Sequence, residues 1–425
     1  MIQEFSIANF KSFKDINSLN MTSAKIDDLD NKGVIKDGKP LLKSKAIYGA
    51  NASGKSNMIK ALVVFLRIIE SSVKDNEITH LIDNYKLSTE TENEPTYFQL
   101  IFKIEDIIYR YGFEATNEKI TSEWLYGKFN IREVPFFIRE QNTIIEISDR
   151  HFSEGSKRLS LFENDDEDNL FDEKSLFLTT IGSLKGKKSQ NILEYLSNIV
   201  IVSGLKDKRL HVQAAKLLEK DKNRNKILKF LKLADTGIED VKVIEFSENS
   251  FPKDTPNEII DDLKGKKMVF SEHKKYNNNN EITDSESFSF LSNESEGTQK
   301  IFELSPLLLS ALTNGRPIII DEFDARFHPL ITKKIVELFN SENNQASQLV
   351  FVTHDTNLLS ANLLRRDQID FVEKDKYGAS HQYTLVKFKG IRKNTLIERD
   401  YIKGKYGAIP FLGDFNQIFK TEIDA

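Results

Sequence analysis

An octapeptide near the N-terminus constrains the fold of this chain more than any other feature. Residues Gly49–Ser56 read GANASGKS and fit the pattern G-x-x-x-x-G-K-[ST]. The residues before them, Lys45–Tyr48, predict a short buried strand, and those after them, NMIKALVVFLRIIESSV, predict a helix. In this context glycines let a loop wrap so that its backbone N–H groups point at phosphate oxygens, and the helix adds its positive end. The segment therefore predicts a phosphate-binding loop.

The loop and the residue after it supply the candidate nucleotide contacts. Lys55 is expected to reach the β- and γ-phosphates and to act in catalysis, and Ser56 to offer its hydroxyl to Mg²⁺. A plain glycine turn before a helix is the alternative, and the strand and helix on either side disfavour it. The candidate nucleotide-binding residues are Gly49, Asn51, Ala52, Ser53, Gly54, Lys55, Ser56 and Asn57.

A second motif is an apolar strand that ends in two carboxylates, PIIIDE at residues 317–322. Asp321 can hold the Mg²⁺ shell, usually through water, and Glu322 can orient and deprotonate an attacking water. The alternative is a buried strand with a charged end. The phosphate-binding loop upstream favours the catalytic interpretation.

A third motif is the strand LVFVTHD at residues 349–355, about thirty residues after Asp321. If it lies parallel to its neighbour, His354 reaches the carboxyl-end crevice where such sheets bind ligands. There it would contact the γ-phosphate or the attacking water. A lone histidine is usually structural, but this position favours function. The other six histidines show no zinc-ligand spacing.

The polar segment Ser295–Gln299, SEGTQ, opens a predicted helix that precedes Pro317. A serine and a glycine at a helix N-terminus form an anion site. Because the chain's own nucleotide would already occupy the first loop, this site would serve another nucleotide, which suggests a partner subunit. A helix cap explains the segment equally well.

Composition limits the classes of protein that remain. The chain has 425 residues, of which 39% are hydrophobic and 29% charged, so it can bury a core. Its net charge of −5 excludes a globally basic nucleic-acid coat, though not a local basic groove. Cysteine is absent, which excludes disulfides and thiolate chemistry. The sequence shows neither a signal pattern nor a run of roughly 18 apolar residues, so we expect a soluble cytoplasmic protein with no membrane partner.

Hydrophobic patterning predicts mixed α/β structure. Alternation of apolar and polar residues over 96–149 predicts an antiparallel β lobe, and the pattern of residues 188–233 predicts helices. Strands alternating with helices after residue 291 predict a parallel sheet. Residues 247–290 are expected to form a loop or β-hairpin, and the acidic run Glu163–Asp168 a solvated loop. The predicted division is 1–150 with the phosphate loop and β lobe, 151–245 as a helical insertion, and 246–425 with the later motifs.

Together these motifs resemble the ABC-type ATPase heads of the RecF, SMC and coiled-coil repair-ATPase group. They are more similar to the AAA-family branch that includes the OLD-type heads. NFKSF at residues 9–13 resembles that group's first strand, GANASGKSN its phosphate loop, SEGTQ its signature, DEFDARFHP its Asp-Glu–His-Pro segment and VTHD its switch histidine. The matches cover about residues 1–70 and 290–375. The resemblance implies an α/β fold, an ABC-type P-loop ATPase head with an antiparallel β lobe and a helical insertion.

The resemblance also implies ATP and Mg²⁺ as ligands, and a homodimer or higher homo-oligomer with two ATP molecules sandwiched between heads. Ser295 and Gly297 would contact the γ-phosphate across the interface, Lys11 would lie near the nucleotide phosphates, and residues 324–328 would form the D-loop. The chain departs from the pattern at the signature. No leucine directly precedes Ser295, and Glu296 stands where many transporters have glycine.

The end of the chain suggests a biological context. About 70 residues follow His354, too few for an OLD-type Toprim nuclease domain. The tail from Asp367 resembles ATPases of bacterial two-gene anti-phage systems of the AbiL/RloA and PARIS types. Those ATPases work with a separate effector, often a Toprim-type nuclease. The leading hypothesis is an ATP-hydrolysing switch or sensor subunit of an abortive-infection system that controls such an effector.

Two other functions stay open. A RecF/SMC-like DNA-repair ATPase acting on DNA directly would use basic clusters at residues 185–188, 206–209 and 387–392 as a groove. Solvated surface faces explain each cluster as well. The third hypothesis is an interaction scaffold with a slow or dead ATP site, and Glu322 argues against it because the base is present.

Overall fold

The chain divides into two compact units. The computed structural model describes residues 1–36, 38–75, 77–161, 171–205, 208–219, 221–247, 256, 258, 265, 267–392 and 395–416. One unit, here called the P-loop unit, comprises residues 2–197 and 352–425, and the other, the signature unit, comprises residues 198–351. The predicted acidic loop at residues 163–168 lies outside the described residues. The predicted three-part division by residue number stays a prediction.

The P-loop unit contains twelve strands and five α-helices among its described residues. The strands are β1 (Ile2–Ala8), β2 (Asn17–Asn20), β3 (Val34–Ile35), β4 (Leu41–Leu42), β5 (Ser44–Tyr48), β6 (Thr96–Ile104), β7 (Ile107–Ala115), β8 (Ile120–Phe129), β9 (Arg132–Glu140), β10 (Thr143–Ile147), β17 (Ile369–Lys374) and β18 (Ser380–Thr384). The helices are α1 (Lys55–Ser71), α2 (Ser153–Leu159), α3 (Phe177–Ser183), α4 (Lys187–Ser197) and α10 (Ile397–Ile402).

The predicted antiparallel β lobe is confirmed. Its seven strands are hydrogen-bonded in the order β10-β9-β8-β7-β6-β1-β2. Along β6 buried and half-buried residues alternate, as expected of a sheet with one face on the core. The pairing places Phe98 opposite Phe113 and Leu100 opposite Tyr111, so aromatic cross-strand pairs stabilise the sheet.

Aromatic side chains join the β lobe to α1. Phe65 of α1 stacks on Phe113, with ring centroids 5.4 Å apart, and lies 5.6 Å from the ring of Phe5. All three rings are fully buried. Burial of each such ring contributes about 1.5–3 kcal/mol. This core accounts structurally for part of the large phenylalanine content, 30 residues against 12 tyrosines.

A second group of strands in the P-loop unit positions the phosphate loop. Strand β5 lies parallel to β17, and β18 lies antiparallel to β17. Every residue of β5 is buried. At the start of β5 the ammonium of Lys45 contacts the Asp370 carboxylate at 2.8 Å, with both side chains buried. The phosphate loop begins at the other, carboxyl end of β5.

The signature unit combines a parallel sheet with a smaller antiparallel one. Its elements are α5 (Lys208–Leu218), α6 (Asp221–Leu233), α7 (Phe290–Asn293), α8 (Glu296–Asn314), α9 (Pro329–Asn340), β11 (Val200–Ser203), β12 (Asp240–Glu245), β13 (Lys267–Tyr276), β14 (Ile282–Ser289), β15 (Ile318–Asp321) and β16 (Leu349–Val352). Strands β11, β15 and β16 run parallel, and β12, β13 and β14 antiparallel. The hairpin predicted within residues 247–290 is formed by β13 and β14.

One helical prediction is wrong in part. Residues 188–233 contain strand β11 as well as helices, and β11 pairs with β15 over Val200–Ser203. A short apolar run does not distinguish a strand from a helix by periodicity. The β-branched sequence IVIV favours a strand once a neighbouring strand is available. Within the described residues no helix is long and apolar enough to span a membrane.

Candidate active site

The loop between β5 and α1 has the geometry of a phosphate cradle. Gly54 precedes α1 with φ 111°, a left-handed conformation that favours glycine. The Lys55 ammonium donates to the backbone oxygens of Gly49 at 2.8 Å and Ala50 at 2.9 Å. Lys55 is only 5% exposed, so its charge is held inside the curve of the loop. The first turn of α1 contributes backbone N–H groups and the positive end of the helix dipole.

Close approach of neighbouring atoms, backbone at Gly49 and serine side chains at Gly54, explains both glycines of the motif. A Cβ atom on Gly49 would lie 2.2 Å from the backbone oxygen of Val372 on β17. One on Gly54 would lie 2.3 Å from Ser380 Oγ and 2.7 Å from Ser12 Oγ. The loop is therefore packed against the sheet on one side, which leaves its other side for a ligand.

Two serine hydroxyls form hydrogen bonds that hold the loop in place. Ser380 Oγ donates to the backbone oxygen of Ser53 at 2.6 Å, and it lies 2.8 Å from Ser12 Oγ. Asn57 Nδ2 donates to Ser12 Oγ at 2.9 Å. Ser380 belongs to β18, so its role at the loop has no local sequence signal. Asn57 anchors the start of α1 through Ser12, and its contact with a nucleotide stays a prediction.

One buried polar atom of the loop lacks a partner. Ser53 Oγ is buried and makes no hydrogen bond to any residue that the structure describes. Buried hydroxyls are normally satisfied, and a phosphate oxygen would supply the missing partner. Asn51 and Ala52 on the same loop are exposed. The residues of the loop thus fit a nucleotide phosphate chemically.

Substitution of Gly54 by alanine is expected to weaken ATP binding at least about tenfold, since the new Cβ would displace Ser380 and Ser12 and strain the left-handed backbone. Equilibrium titration with a fluorescent ATP analogue measures the effect. Gly413→Ala is the matched control, because a Cβ there meets no atom within 4 Å. Equal ATP affinity in Gly54→Ala and the parent would show that the cradle is not the nucleotide site.

Lys11 engages an acidic partner. It adopts φ 51°, and its ammonium lies 2.7 Å from a carboxylate oxygen of Asp83. Its backbone N–H donates to the backbone oxygen of Asp83 at 2.7 Å. Although burial opposes the charged form, the lysines around Asp83, Lys11 and Lys86, hold the pKa of that carboxyl below its usual range. A phosphate contact by Lys11 would require exchange of this ion pair.

The structure places the backbone around His354 next to the strand that leads into the loop. The Thr353 N–H donates to the backbone oxygen of Ile47 at 3.2 Å. The Tyr48 hydroxyl donates to the backbone oxygen of Asp355 at 3.0 Å. His354 itself is exposed. Both residues that flank His354 are thus hydrogen-bonded to the last residues before Gly49, and the contact of His354 with the nucleotide stays a prediction.

In the signature unit, the predicted catalytic carboxylates end strand β15. Asp321 and Glu322 are both half-buried, and the Glu322 N–H donates to Asp321 Oδ1 at 3.1 Å. Glu322 has φ 51°, a strained conformation for a residue with a side chain, which is typical of functional sites. Gly204 donates its N–H to the backbone oxygen of Asp321 at 2.6 Å.

Gly204 is a supporting residue that the sequence motifs did not reveal. A Cβ at Gly204 would lie 1.8 Å from the backbone oxygen of Glu322. Only glycine therefore allows the chain after β11 to pass this closely. It follows Ser203, which lies opposite Asp321 in the parallel pairing. Its location becomes evident only when β11 is known to be a strand.

The predicted signature segment caps a helix. Ser295 is the N-cap of α8, and its Oγ accepts from the Thr298 N–H at 3.1 Å. Ser295 is exposed and Gly297 half-buried. Glu296 forms an ion pair with Arg326 at 3.3 Å. The cap predicted as the alternative is therefore present, and an exposed capping serine stays available to an external ligand.

The segment after Glu322, predicted to be the D-loop, forms a compact turn. The Ala325 N–H donates to the backbone oxygen of Glu322, and the Phe327 N–H to that of Asp324, both at 3.1 Å. His328 Nδ1 accepts from the Leu330 N–H at 3.2 Å and caps α9. Local hydrogen bonds therefore fix the path of residues 322–328.

Lys300 joins the signature helix to that turn, and the motifs gave no indication of it. Its ammonium donates to the backbone oxygens of Phe323, at 3.0 Å, and Ala325. It also lies 4.2 Å from the centre of the Phe327 ring. Burial lowers the pKa of Lys300 to about 8, although Asp324 acts in the opposite direction. A buried cation on α8 thus holds the turn that follows the two carboxylates predicted to act in catalysis.

The titration of Lys300 predicts a pH-dependent difference in stability. The folded pKa is about 8 and the ordinary value 10.5, so between these pH values the unfolded chain binds more protons. The contribution of Lys300 to the free energy of unfolding therefore rises with pH there. Relative to Lys300→Met, the parent should gain up to about 3 kcal/mol between pH 8 and 10.5.

Urea unfolding of the parent and of Lys300→Met across this pH range measures the gain in free energy of unfolding. Both proteins contain the same tyrosines, so the effect of tyrosine titration cancels when the two free energies are subtracted. Lys334→Met is the control, because Lys334 is exposed on α9. Parallel pH profiles for the parent and Lys300→Met would contradict the prediction.

Comparison with known proteins identifies the family. A family model described as "AAA domain, putative AbiEii toxin, Type IV TA system" matches residues 46–360, more than half of the chain. The chain belongs to this AAA-domain family. The matched span includes the AAA-domain phosphate loop, the signature segment, both carboxylates and His354. None of the curated proteins matches this AAA domain.

Several solved structures are similar to the AAA domain at low identity. They include the SMC head domain from Thermotoga maritima (12% identity, TM-score 0.40, 90% of this chain and 98% of that chain). An SMC head bound to the C-terminal winged-helix domain of ScpA has 15% identity and a TM-score of 0.44 over 90% and 97% of the two chains. An SMC head with an extended coiled coil, bound to a ScpA domain from Pyrococcus furiosus, has 15% identity and a TM-score of 0.40 over 90% and 96%. The family assignment rests on the match over residues 46–360.

Proposed function

We propose that this AAA-domain protein binds and hydrolyses ATP, and that the nucleotide state switches its association with itself and with an effector. The observation that carries the proposal is the cradle after β5. There buried Lys55 lies in one glycine-bounded loop with the Ser53 hydroxyl, which has no hydrogen-bond partner among the described residues. The anchoring of the backbone on both sides of His354 to residues 47 and 48 supports a nucleotide-sensing role for that histidine.

The proposed chemistry assigns a role to each candidate residue. Lys55 binds the β- and γ-phosphates, and Glu322 accepts the proton of the attacking water. Ser56 and Asp321 would hold Mg²⁺, which neutralises charge on the phosphates. Ser295 and Gly297 would contact the γ-phosphate of a nucleotide bound to a second copy, and ATP would thereby close a homodimer or a larger ring. Lys11 would join the site after release from Asp83.

The proposed biological role is a switch or sensor subunit in an abortive-infection system against phage. The family description, which names a putative AbiEii toxin and a type IV TA system, supports a role in such a system. So does the resemblance of the tail after Asp367 to ATPases of two-gene anti-phage systems. The effector would be a separate protein of the Toprim nuclease type, held or released as ATP is turned over.

Direct action on DNA is the second candidate. Its support is basic sequence at residues 387–392, where Lys387, Lys389 and Arg392 lie near one another in the chain. The cluster at residues 185–188 supports it less, because Lys188 donates to the backbone oxygen of His151 and lies over the Phe136 ring. The structure does not describe the side chains of the third basic cluster, residues 206–209.

The test combines nucleotide binding with partner capture. The parent is expected to bind ATP, and Lys55→Ala to bind it at least about tenfold more weakly, because a charge-assisted contact is removed. Lys74→Ala, an exposed lysine after the same helix, should bind like the parent. Tagged parent isolated from its own cells should retain a second protein that Lys55→Ala does not. Unchanged ATP binding in Lys55→Ala would overturn the proposal, and salt-sensitive DNA binding without a protein partner would favour the second candidate.

A further inference from the structure

The residue before Ser295 departs from the ABC-type signature that the segment resembles. Glu294 stands where the resemblance leads one to expect leucine, and its side chain is only 9% exposed. Its Oε1 lies 2.7 Å from His273 Nε2 and accepts from Ser271 Oγ at 2.5 Å. Both partners belong to β13. Because an ionised carboxylate only accepts, the histidine nitrogen donates.

The backbone of Glu294 is held from the opposite side. Gln299 Nε2, in the second turn of α8, donates to the backbone oxygen of Glu294 at 2.9 Å and to that of Leu291 at 3.1 Å. Glu294 therefore lies between two elements, with its carboxylate on the hairpin and its carbonyl on the signature helix. Ser295 follows directly and caps α8.

Loss of either partner of the Glu294 carboxylate is expected to destabilise this contact with β13. A buried carboxylate without donors would lose its hydration without compensation. A leucine at this position would leave Ser271, which is fully buried, without its carboxylate partner. Short hydrogen bonds to a charged acceptor are about twice as strong as neutral ones. The hairpin and the residue before Ser295 consequently have a strong and directional link.

We propose that Glu294 is a positioning residue for Ser295, and that the β13–β14 hairpin sets through it the geometry of the signature contact. The inference rests on the proposed function, because it concerns the contact between Ser295 and a nucleotide on a second copy. A shift of β13 moves His273 and Ser271 and, with them, the backbone that enters α8. The hairpin thereby controls ATP-dependent dimerisation through the signature segment.

The test measures ATP-dependent dimerisation in proteins that also carry Glu322→Gln, a substitution expected to prevent hydrolysis of the bound ATP. The affinity for ATP is measured separately. Glu294→Leu removes the link and introduces the leucine of the signature that the segment resembles. His273→Leu removes it from the hairpin side. Glu294→Gln keeps an acceptor and is the conservative variant. Glu286→Ala is the matched control, since it breaks only an exposed hairpin ion pair with Lys275. Sedimentation velocity gives the ATP concentration for half-maximal dimer, and titration of dilute monomer gives the affinity of the P-loop for ATP.

We expect Glu294→Leu and His273→Leu to raise the half-maximal ATP concentration at least about tenfold, with monomer affinity unchanged. Glu294→Gln should stay within about threefold of the parent, and Glu286→Ala should equal it. If both leucine variants dimerise like the parent, the inference is wrong and the proposed function stands. If the parent itself does not dimerise with ATP, the proposed function fails and the inference fails with it. A melting temperature for each variant separates loss of folding from loss of positioning.

Discussion

Replacement of Glu322 by glutamine is expected to lower ATP turnover by about 10²–10⁴-fold while ATP binding is retained. Glutamine has the shape of glutamate but cannot accept the proton of the attacking water. The strained backbone at Glu322, with φ 51°, is unchanged by this substitution, so the turn through residue 327 should persist. ATP-bound dimers should accumulate because closure proceeds and hydrolysis does not. Phosphate release and sedimentation with ATP measure the two effects.

A control in the same unit sharpens this experiment. Glu337 lies on α9, where its carboxylate pairs with Lys334 at 2.7 Å. Glu337→Gln should hydrolyse ATP at the parent rate. If Glu322→Gln hydrolyses ATP as fast as the parent, Glu322 is not the base. If Glu322→Gln also loses ATP binding, the effect lies in folding and not in catalysis.

The phosphate loop was predictable from sequence because its determinants are local. Strand, glycine loop and helix are contiguous, the left-handed backbone at Gly54 directly precedes α1, and Lys55 donates to backbone oxygens within the same loop. The antiparallel β lobe was predictable for a related reason. Alternation over residues 96–149 reports the half-buried face of each strand directly.

The supports of the site were not predictable, because they come from distant parts of the chain. Ser380 reaches the loop only because β18 pairs with β17, and β17 with β5. Gly204 meets Glu322 only because β11 pairs with β15. The sequence around β11 is compatible with helix or strand, and only a neighbouring strand decides between them. The ion pair of Lys11 with Asp83 joins residues 72 positions apart, and no motif marks it.

Glu294, the residue before Ser295, shows a second limit of prediction from sequence. The sequence alone shows that Glu294 stands where the resemblance leads one to expect leucine, but the contacts of Glu294 depend on residues distant in the chain. The structure supplies them as His273 and Ser271. Through these two hydrogen bonds Glu294 links the signature segment to strand β13.

The largest expected loss of stability lies in the β lobe, at a buried ion pair that no motif marks. Glu123 and Arg139 are fully buried, with carboxylate and guanidinium 3.5 Å apart. Glu123 also accepts from the N–H groups of Phe177, at 2.6 Å, and Leu178, at 3.0 Å, which start α3. Burial raises the pKa of Glu123 and lowers that of Arg139, so each charge depends on its partner.

Glu123→Leu is expected to lower the free energy of unfolding by about 3–5 kcal/mol, because it leaves Arg139 charged and buried and exposes the start of α3 to an apolar side chain. Urea unfolding followed by tryptophan fluorescence measures the loss, since the one tryptophan, Trp124, lies next to the substitution. The double variant Glu123→Leu/Arg139→Met should recover part of the loss by removing the unpaired charge. Glu133→Ala, which breaks the exposed pair with Arg110, should cost about 1 kcal/mol or less. A double variant no more stable than Glu123→Leu would show that the lost contacts to α3, and not the uncompensated guanidinium, account for the instability.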